Sequence, residues 1–438
     1  MNRKSIVRIA ALLILLNSAV LQVQAAETTT ANPRLKMYFW ERIRQESSDN
    51  VSSLNDSGTD SSAYLRLRTS LGFQWRPTDA WEINLRLTNE NRLYLAPKSD
   101  PRLGTNFNFH EIFIDQLSVR WKNPGRLPLT VTLGRQDLMF GEGFLIMDGG
   151  PLDGSRSAYF NGVRLDYALK NNNNLTFFFI RQPRTDTLLP VGNDHQQSMV
   201  EREEQGFGLY FSGKKKRTGL EAYLFNKDAF GTGSLPSFHL IVAGGRVIHP
   251  FSDKLSLTAE AALQLGKFDA EGRSGLGGYF HLDYKSDWRF PMPAQLTLGG
   301  IYLSGDDPAT ARHEGWDAAF SRWPKWSDSL IYLQAKETRV ADWTNFISIY
   351  GSLLFEPLEK VKLNLAWHHL LAPEKTPPSA ILSGTGRGRG ELLIVKLTYD
   401  IGKNLAGRFI WENFSPGNFY FAGANAYSWI QFELFFRY

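Results

Sequence analysis

Charged residues recur at every second position through much of this sequence. In residues 64–76, Arg66, Arg68 and Arg76 share one parity with Tyr64, Ser70, Gly72 and Gln74, while Leu65, Leu67, Thr69, Leu71, Phe73 and Trp75 take the other. A little further on, Glu82, Asn84, Arg86 and Thr88 alternate with Trp81, Ile83, Leu85 and Leu87. The same reading puts Arg42, Arg44, Arg92, Arg120, Arg164 and Arg408 on the charged face, with Glu90, Asp166, Glu260 and Glu412 among the carboxylates. Rows of guanidiniums projecting into a pore select anions. The competing arrangement is a wall of charges that pair with one another and select little. The basic excess lies early in the chain, so a selective patch is expected on the first four elements.

Two further clusters lie off this alternation. Arg387 and Arg389, in Gly-Arg-Gly-Arg-Gly, fall where a polar stretch gives way to an apolar one. Glycines there let the backbone lie close to a wall, from which both guanidiniums could project. Gly134-Arg135-Gln136-Asp137 and Phe140-Gly141-Glu142-Gly143, followed by Asp148, Asp153 and Arg156, suit a loop folded inward as a constriction. Carboxylates in a glycine-rich loop can hold calcium, but this spacing matches no standard calcium loop, and no metal is expected. The eight histidines show no zinc spacing, and His195, His313, His368 and His369 sit in no nucleophile–base motif. The chain has no cysteine, hence no thiolate nucleophile. Neither catalysis nor a cofactor is expected.

What must position these residues follows from their period. Charges at every second place would leave a helix no apolar face, whereas a strand turns them all to one side. Such segments recur near 34–46, 62–76, 80–94, 107–122, 128–138, 159–170, 174–184, 203–213, 217–228, 237–249, 254–268, 275–288, 294–304, 343–356, 360–372, 388–401, 404–413 and 427–438. Short links such as 171–173 and 357–359 alternate with mostly longer polar ones such as 138–158 and 305–342. This is the rhythm of an all-β transmembrane antiparallel barrel of about eighteen strands, with short periplasmic turns and long extracellular loops. Backbone groups in hydrocarbon must all be paired, which demands closure where no helix spans. A barrel of that size encloses a lumen too wide for its own side chains to fill.

Arg3, Lys4 and Arg8 precede an apolar run from Ile9 to Val20 and a small-residue pattern ending at Ala25. Residues 1–25 therefore read as a secretory signal peptide and residues 26–438 as the barrel. Ile430, Phe432, Leu434, Phe436 and Tyr438 make an apolar stripe ending in an aromatic, a final strand suited to the barrel-assembly machinery of the bacterial outer membrane. In a soluble protein such an edge would invite aggregation. The formal charge falls from +5 to +2 once Arg3, Lys4 and Arg8 are removed, so no nucleic-acid surface is expected.

Several segments, in order, resemble the alginate-export family of outer-membrane porins. They are Leu133-Gly-Arg-Gln-Asp-Leu-Met-Phe-Gly-Glu-Gly with Phe160-Asn-Gly-Val-Arg-Leu, Phe320-Ser-Arg-Trp-Pro-Lys-Trp-Ser-Asp-Ser-Leu-Ile-Tyr with Trp343-Thr-Asn, Arg389-Gly-Glu-Leu, and Glu412-Asn-Phe-Ser-Pro-Gly-Asn-Phe-Tyr. The resemblance implies a monomeric eighteen-stranded pore that passes a polyuronate outward, with a periplasmic export conduit as partner. On matched positions it makes Arg135, Arg164 and Arg389 pore-lining or constriction residues, with Asp137 and Glu142 beside them.

The leading expectation is passive diffusion of anionic solutes or acidic polysaccharide through a lumen lined by Arg66, Arg68, Arg86, Arg135, Arg164, Arg387, Arg389 and Arg408. One alternative is a general or neutral-sugar diffusion porin, in which the tryptophans of residues 315–326 stack on sugar faces. Another is an adhesin-like barrel whose 305–342 loop fills the lumen.

Overall fold

The computed structural model describes residues 34–57, 60–100, 104–148, 159–186, 190–192, 199–321, 326–338 and 343–438. The expected signal peptide lies outside the described residues, as do Asp153, Arg156, His195 and the Trp323-Pro324-Lys325 run.

The alternating segments are strands: β1 (Leu35–Asp49), β2 (Ser62–Thr78), β3 (Trp81–Ala96), β4 (Phe107–Lys122), β5 (Leu129–Gln136), β6 (Phe160–Ala168), β7 (Asn174–Gln182), β8 (Glu204–Lys215) and β9 (Thr218–Ala229). The second half holds β10 (Phe238–Pro250), β11 (Leu255–Phe268), β12 (Glu271–Lys285), β13 (Gln295–Leu303), β14 (Phe346–Leu358), β15 (Val361–Leu371), β16 (Gly388–Asp400), β17 (Leu405–Pro416) and β18 (Tyr427–Arg437). Each pairs antiparallel with the next. β18 returns to β1, with Trp40 opposite Arg437 and Asp49 opposite Ser428, so the sheet is a closed eighteen-stranded barrel.

One connection departs from the short–long rhythm. β12 begins at Glu271 rather than near residue 275, so only Asp269 and Ala270 join it to β11. Its glycine-rich start reads as loop by composition. Yet Arg273, Gly275 and Gly277 continue the ladder opposite Gly266, Gln264 and Ala262. β5 departs in the other direction. It pairs with residues 117–122 of β4, and Pro190–Gly192 takes up the ladder farther along, at Ile112 and Phe113.

Outside, alternate residues form an apolar surface; Leu263, Phe280, Leu298 and Ile349 are between 48% and 64% exposed. So much exposed apolar area marks a surface that meets something other than water, here acyl chains. Trp75, Trp81, Trp121, Phe251 and Trp288 mark the turn end of the barrel, and Trp81 stacks on Trp121 with centroids 5.0 Å apart. Amphipathic rings belong at headgroup level.

Inside, loops and wall share the packed core. Leu138, Leu145 and Ile146 come from the 137–159 loop (L3), and Trp316, Phe320, Leu330 and Leu333 from the 304–345 loop (L7). L7 carries the short helix Leu330–Glu337. These side chains meet inward-facing Phe178, Phe225 and Leu240 of the wall. Each fully buried large apolar side chain contributes roughly 1.5–3 kcal/mol, which draws both loops into the lumen.

Candidate functional site

The inward parity of β1–β3 gathers Arg42, Arg44, Arg66, Arg68, Arg86 and Arg92 on one arc of the wall. Arg42 stands opposite Arg68, Arg44 opposite Arg66, and Arg66 opposite Arg92. Like charges directly opposite destabilise a sheet, so the arc depends on the carboxylates threaded through it. Arg66 reaches Glu46 at 2.6 Å and Glu90 at 3.4 Å. Glu90 also lies 3.7 Å from both Arg42 and Arg68. Arg86 meets Asp115 and Asp137, each at 2.8 Å, and Arg44 meets Glu433 at 2.7 Å. The arc is sheltered: the Arg42 and Arg68 side chains are 1% exposed.

On the facing side, L3 and L7 are joined to each other and to the wall. Ile146 and Met147 pair in parallel with Phe320 and Ser321. Two glycines leave room for the bulky rings of L7. A Cβ on Gly206 would stand 2.8 Å from the Phe320 ring, and one on Gly277 would stand 2.6 Å from the Trp316 ring.

Ion pairs then fix the loops. Lys227 Nζ donates to Asp317 Oδ1 at 2.9 Å and to the Ala319 carbonyl at 2.7 Å, and Arg273 lies 3.4 Å from Asp317. Burial raises the Asp317 carboxyl, but Lys227 and Arg273 outweigh it and hold the group below the ordinary carboxylate range. Glu142 of L3 is gripped by Arg246 at 2.8 Å and His281 at 3.3 Å. Burial raises this carboxyl too, but hydrogen bonds with His281 and Arg246 bring it down to about 2. Farther along L7, the Ser327 hydroxyl donates to Glu412 at 2.6 Å, the Tyr332 hydroxyl donates to Glu46 at 2.9 Å, and Glu337 pairs with Arg389 at 2.6 Å. Removing one partner of a buried pair costs about 3–5 kcal/mol, so these pairs tie the described parts of both loops to the wall.

The described residues line at least two cavities in the lumen. One, of about 360 Å³, lies between β12–β15 and the inward loops, where Phe144, Tyr279, Trp326 and Tyr350 meet Glu142 and Asp283. The other, of about 420 Å³, lies along the turn-end half of β1–β4, against Tyr38, Trp40, Gln74, Glu82, Arg86 and Arg120. Among the described residues, no group of three or more His, Asp or Glu side chains is placed to hold a metal ion.

The arginines singled out by spacing fall into separate groups. Arg66, Arg68 and Arg86 lie together on the β1–β3 arc, and Arg408 joins them through Glu433 at 3.1 Å. Arg135 sits apart on β5, held by Asp186 at 2.9 Å and stacked over the Tyr159 ring at 3.7 Å. Arg164 on β6 pairs with Asp166 at 2.8 Å. Arg389 opens β16 against Glu337, and Arg387 lies just before that strand with Glu374 at 2.7 Å. All eight have a carboxylate partner, so the mutual pairing weighed in the sequence is present at every one of them. Asp137 and Glu142 are likewise engaged.

Lys227, Arg246, Arg273 and Asp317 escape the sequence reading. On β9 the inward residues are Tyr223, Phe225 and Lys227, while Leu224 faces out. Both faces are apolar there, so parity gives no direction. Arg273 lies in the stretch whose glycines resemble a loop. Nothing in the spacing around Asp317 marks it.

A closed eighteen-stranded barrel, apolar outside, charged within and narrowed by inward loops, is the architecture of a porin. Neither a family model nor a curated protein sequence matches the chain. Solved structures do match in fold, among them these three from Pseudomonas aeruginosa. OpdL aligns with a TM-score of 0.59 at 9% identity, covering 92% of this chain and 98% of its own. OccK2 (OpdF), solved in complex with glucuronate, aligns at 0.58 and 10%, covering 92% and 97%. OpdK, solved with vanillate, aligns at 0.56 and 10%, covering 92% and 98%. The fold is thus that of the OprD and Occ outer-membrane porins. The comparisons give no support to the resemblance to the alginate-export family, nor to a polyuronate chain as cargo.

Proposed function

We propose that the chain is a diffusion channel of the bacterial outer membrane that passes small anionic solutes. The observation that carries this is the arginine arc. With Arg408 included, seven guanidiniums share Glu46, Glu90, Asp115, Asp137 and Glu433 among the pairs described. Rows of guanidiniums fixed in a low-dielectric wall raise the local concentration of anions. Two barrels of the same fold were solved with glucuronate and with vanillate, which supports small carboxylates as the class. The pinned L3 and L7 favour small cargo over a polymer. The apolar stripe of β18 suits the barrel-assembly machinery as partner.

The test is a single-channel recording of the refolded barrel in a planar bilayer under a salt gradient. The expected reversal potential favours anions, and it shrinks in an Arg66→Gln/Arg68→Gln double variant. A potential at zero, or one that favours cations, overturns the proposal.

A further inference from the structure

The cavity between β12–β15 and the inward loops lies on a different arc from the arginines and has a different chemistry. We infer that it is a binding site for a neutral, hydroxylated six-membered ring of monosaccharide size, recognised by the half-buried rings of Phe144, Tyr279, Trp326 and Tyr350 together with the carboxylates of Glu142 and Asp283. The inference goes beyond conduction of anions and rests on that reading only in that solute must reach the lumen.

Size comes first. At about 360 Å³ the cavity sits at the small end of ligand sites, which run from roughly 300 to 1,000 Å³. That is ample room for a single ring.

Charge comes next. Glu142 is matched by Arg246 at 2.8 Å and His281 at 3.3 Å. Asp283 is bonded to His281 Nδ1 at 2.6 Å and accepts from the Thr297 hydroxyl at 2.6 Å. An entering anion would meet carboxylate oxygens, and an entering cation would have to displace the Arg246 and His281 bonds these carboxylates already make. A hydroxyl avoids both, because it donates to the carboxylate lone pairs left over from these bonds.

The remaining lining is aromatic. Tyr350 lies over His368 with centroids 4.9 Å apart, and Phe144 meets Tyr279 edge-on at 5.3 Å. The C–H faces of a pyranose ring are apolar and pack on such surfaces. The Trp326 indole N–H is buried and has no acceptor among the described residues. An unmet buried donor costs about 1–3 kcal/mol, and a ligand oxygen would relieve it. The site lies beside the L3–L7 junction, so an occupant would obstruct current.

The experiment combines single-channel recording with a tryptophan fluorescence titration of the same refolded barrel. D-glucose is compared with sorbitol, an open-chain polyol of the same hydroxyl chemistry. Glucose is expected to give a saturable fluorescence change and a saturable fall in current, with sorbitol at least tenfold weaker. Asp283→Asn and Trp326→Phe should each weaken the glucose response about tenfold. Asp283→Asn is nearly isosteric and carries the test if Trp326→Phe does not fold. No saturable response, an equal response to sorbitol, or a response untouched by both variants overturns the inference. Fluorescence requires no current, so glucose binding without anion preference would sink the channel proposal alone. Anion preference without glucose binding would sink this one alone.

Discussion

Phe320 lies beside Ile146 in parallel strand register, although the two belong to loops that leave the wall at β13 and β5. The Phe320 N–H donates to the Leu145 carbonyl at 2.8 Å, and the Ser321 hydroxyl donates to the Gly143 carbonyl at 2.7 Å. Backbone drawn into a lumen must satisfy its polar groups as strictly as any other buried backbone. These two loops do so through each other. The constriction is therefore one jointly folded unit, and disturbing either loop is expected to disturb both.

Lys227→Met removes the cation that holds Asp317 and the Ala319 carbonyl. Arg273, at 3.4 Å, remains the weaker partner. L7 docking is expected to weaken by about 3 kcal/mol. In single-channel traces this appears as frequent steps to a larger conductance. Traces as quiet as wild type would show that the pair does not fix the loop.

Gly277→Val places a side chain where the Trp316 ring sits, since even a Cβ would be 2.6 Å from it. Overpacking of this kind costs about 1–3 kcal/mol, and L7 should become more sensitive to limited proteolysis. Trp316→Ala should lose its own effect in the Gly277→Val background, because the two residues share one space. Additive effects would contradict the seating.

Asp148 accepts a hydrogen bond from the Leu138 N–H at 3.0 Å and so closes L3 on itself. Burial first, and then the charge of Asp137, push its carboxyl from 3.8 up to about 7. The folded value lies above the unfolded one. The folded loop therefore keeps a proton that the unfolded chain releases, and stability falls as pH rises from about 4 to about 7, then levels off. The gap corresponds to about 4 kcal/mol. Hydrogen exchange of L3 amides, corrected for intrinsic rates, should show less protection at about pH 8 than at about pH 5. Asp148→Asn should flatten the difference; if the difference persists, another group is responsible.

Glu90→Gln neutralises a carboxylate within 4 Å of four arginines: Arg42, Arg66, Arg68 and Arg92. The arc becomes more positive, so the anion-favouring reversal potential should grow. Thermal stability should fall by a few kcal/mol, on the order of the cost of breaking a buried pair. A smaller potential than wild type would mean that the arc does not set selectivity.

Nearly the whole barrel is legible in the sequence because lipid enforces the alternation. Leu65, Leu67 and Leu71 must face out for the same reason that Arg66 and Arg68 must face in. The signal fails where the lumen is apolar. Inward Tyr223 and Phe225 face loops rather than water, so β9 loses its contrast and hides Lys227. The β11–β12 hairpin is obscured because Gly275 and Gly277, which make room for Trp316, have the composition of a loop. As for the site, single-strand parity gives a side chain its direction but not its partner. The pairing of Arg135 with Asp186 and of Arg389 with Glu337 joins residues 51 and 52 positions apart, and only the folded loops bring them together.

The brevity of β5 bears on how the cylinder carries load. The β2–β3 ladder runs from Ala63 to Thr78, whereas β4 grips β5 over residues 117–122 and then, among the described residues, pairs with Pro190–Gly192. Hoop strength is unequal around the circumference, and local opening follows the weakest ladder. Heated or pulled, the wall is expected to give first along this seam, and the Arg135 guanidinium, anchored on β5, then parts from the Ile114 carbonyl of β4 that it reaches at 2.6 Å.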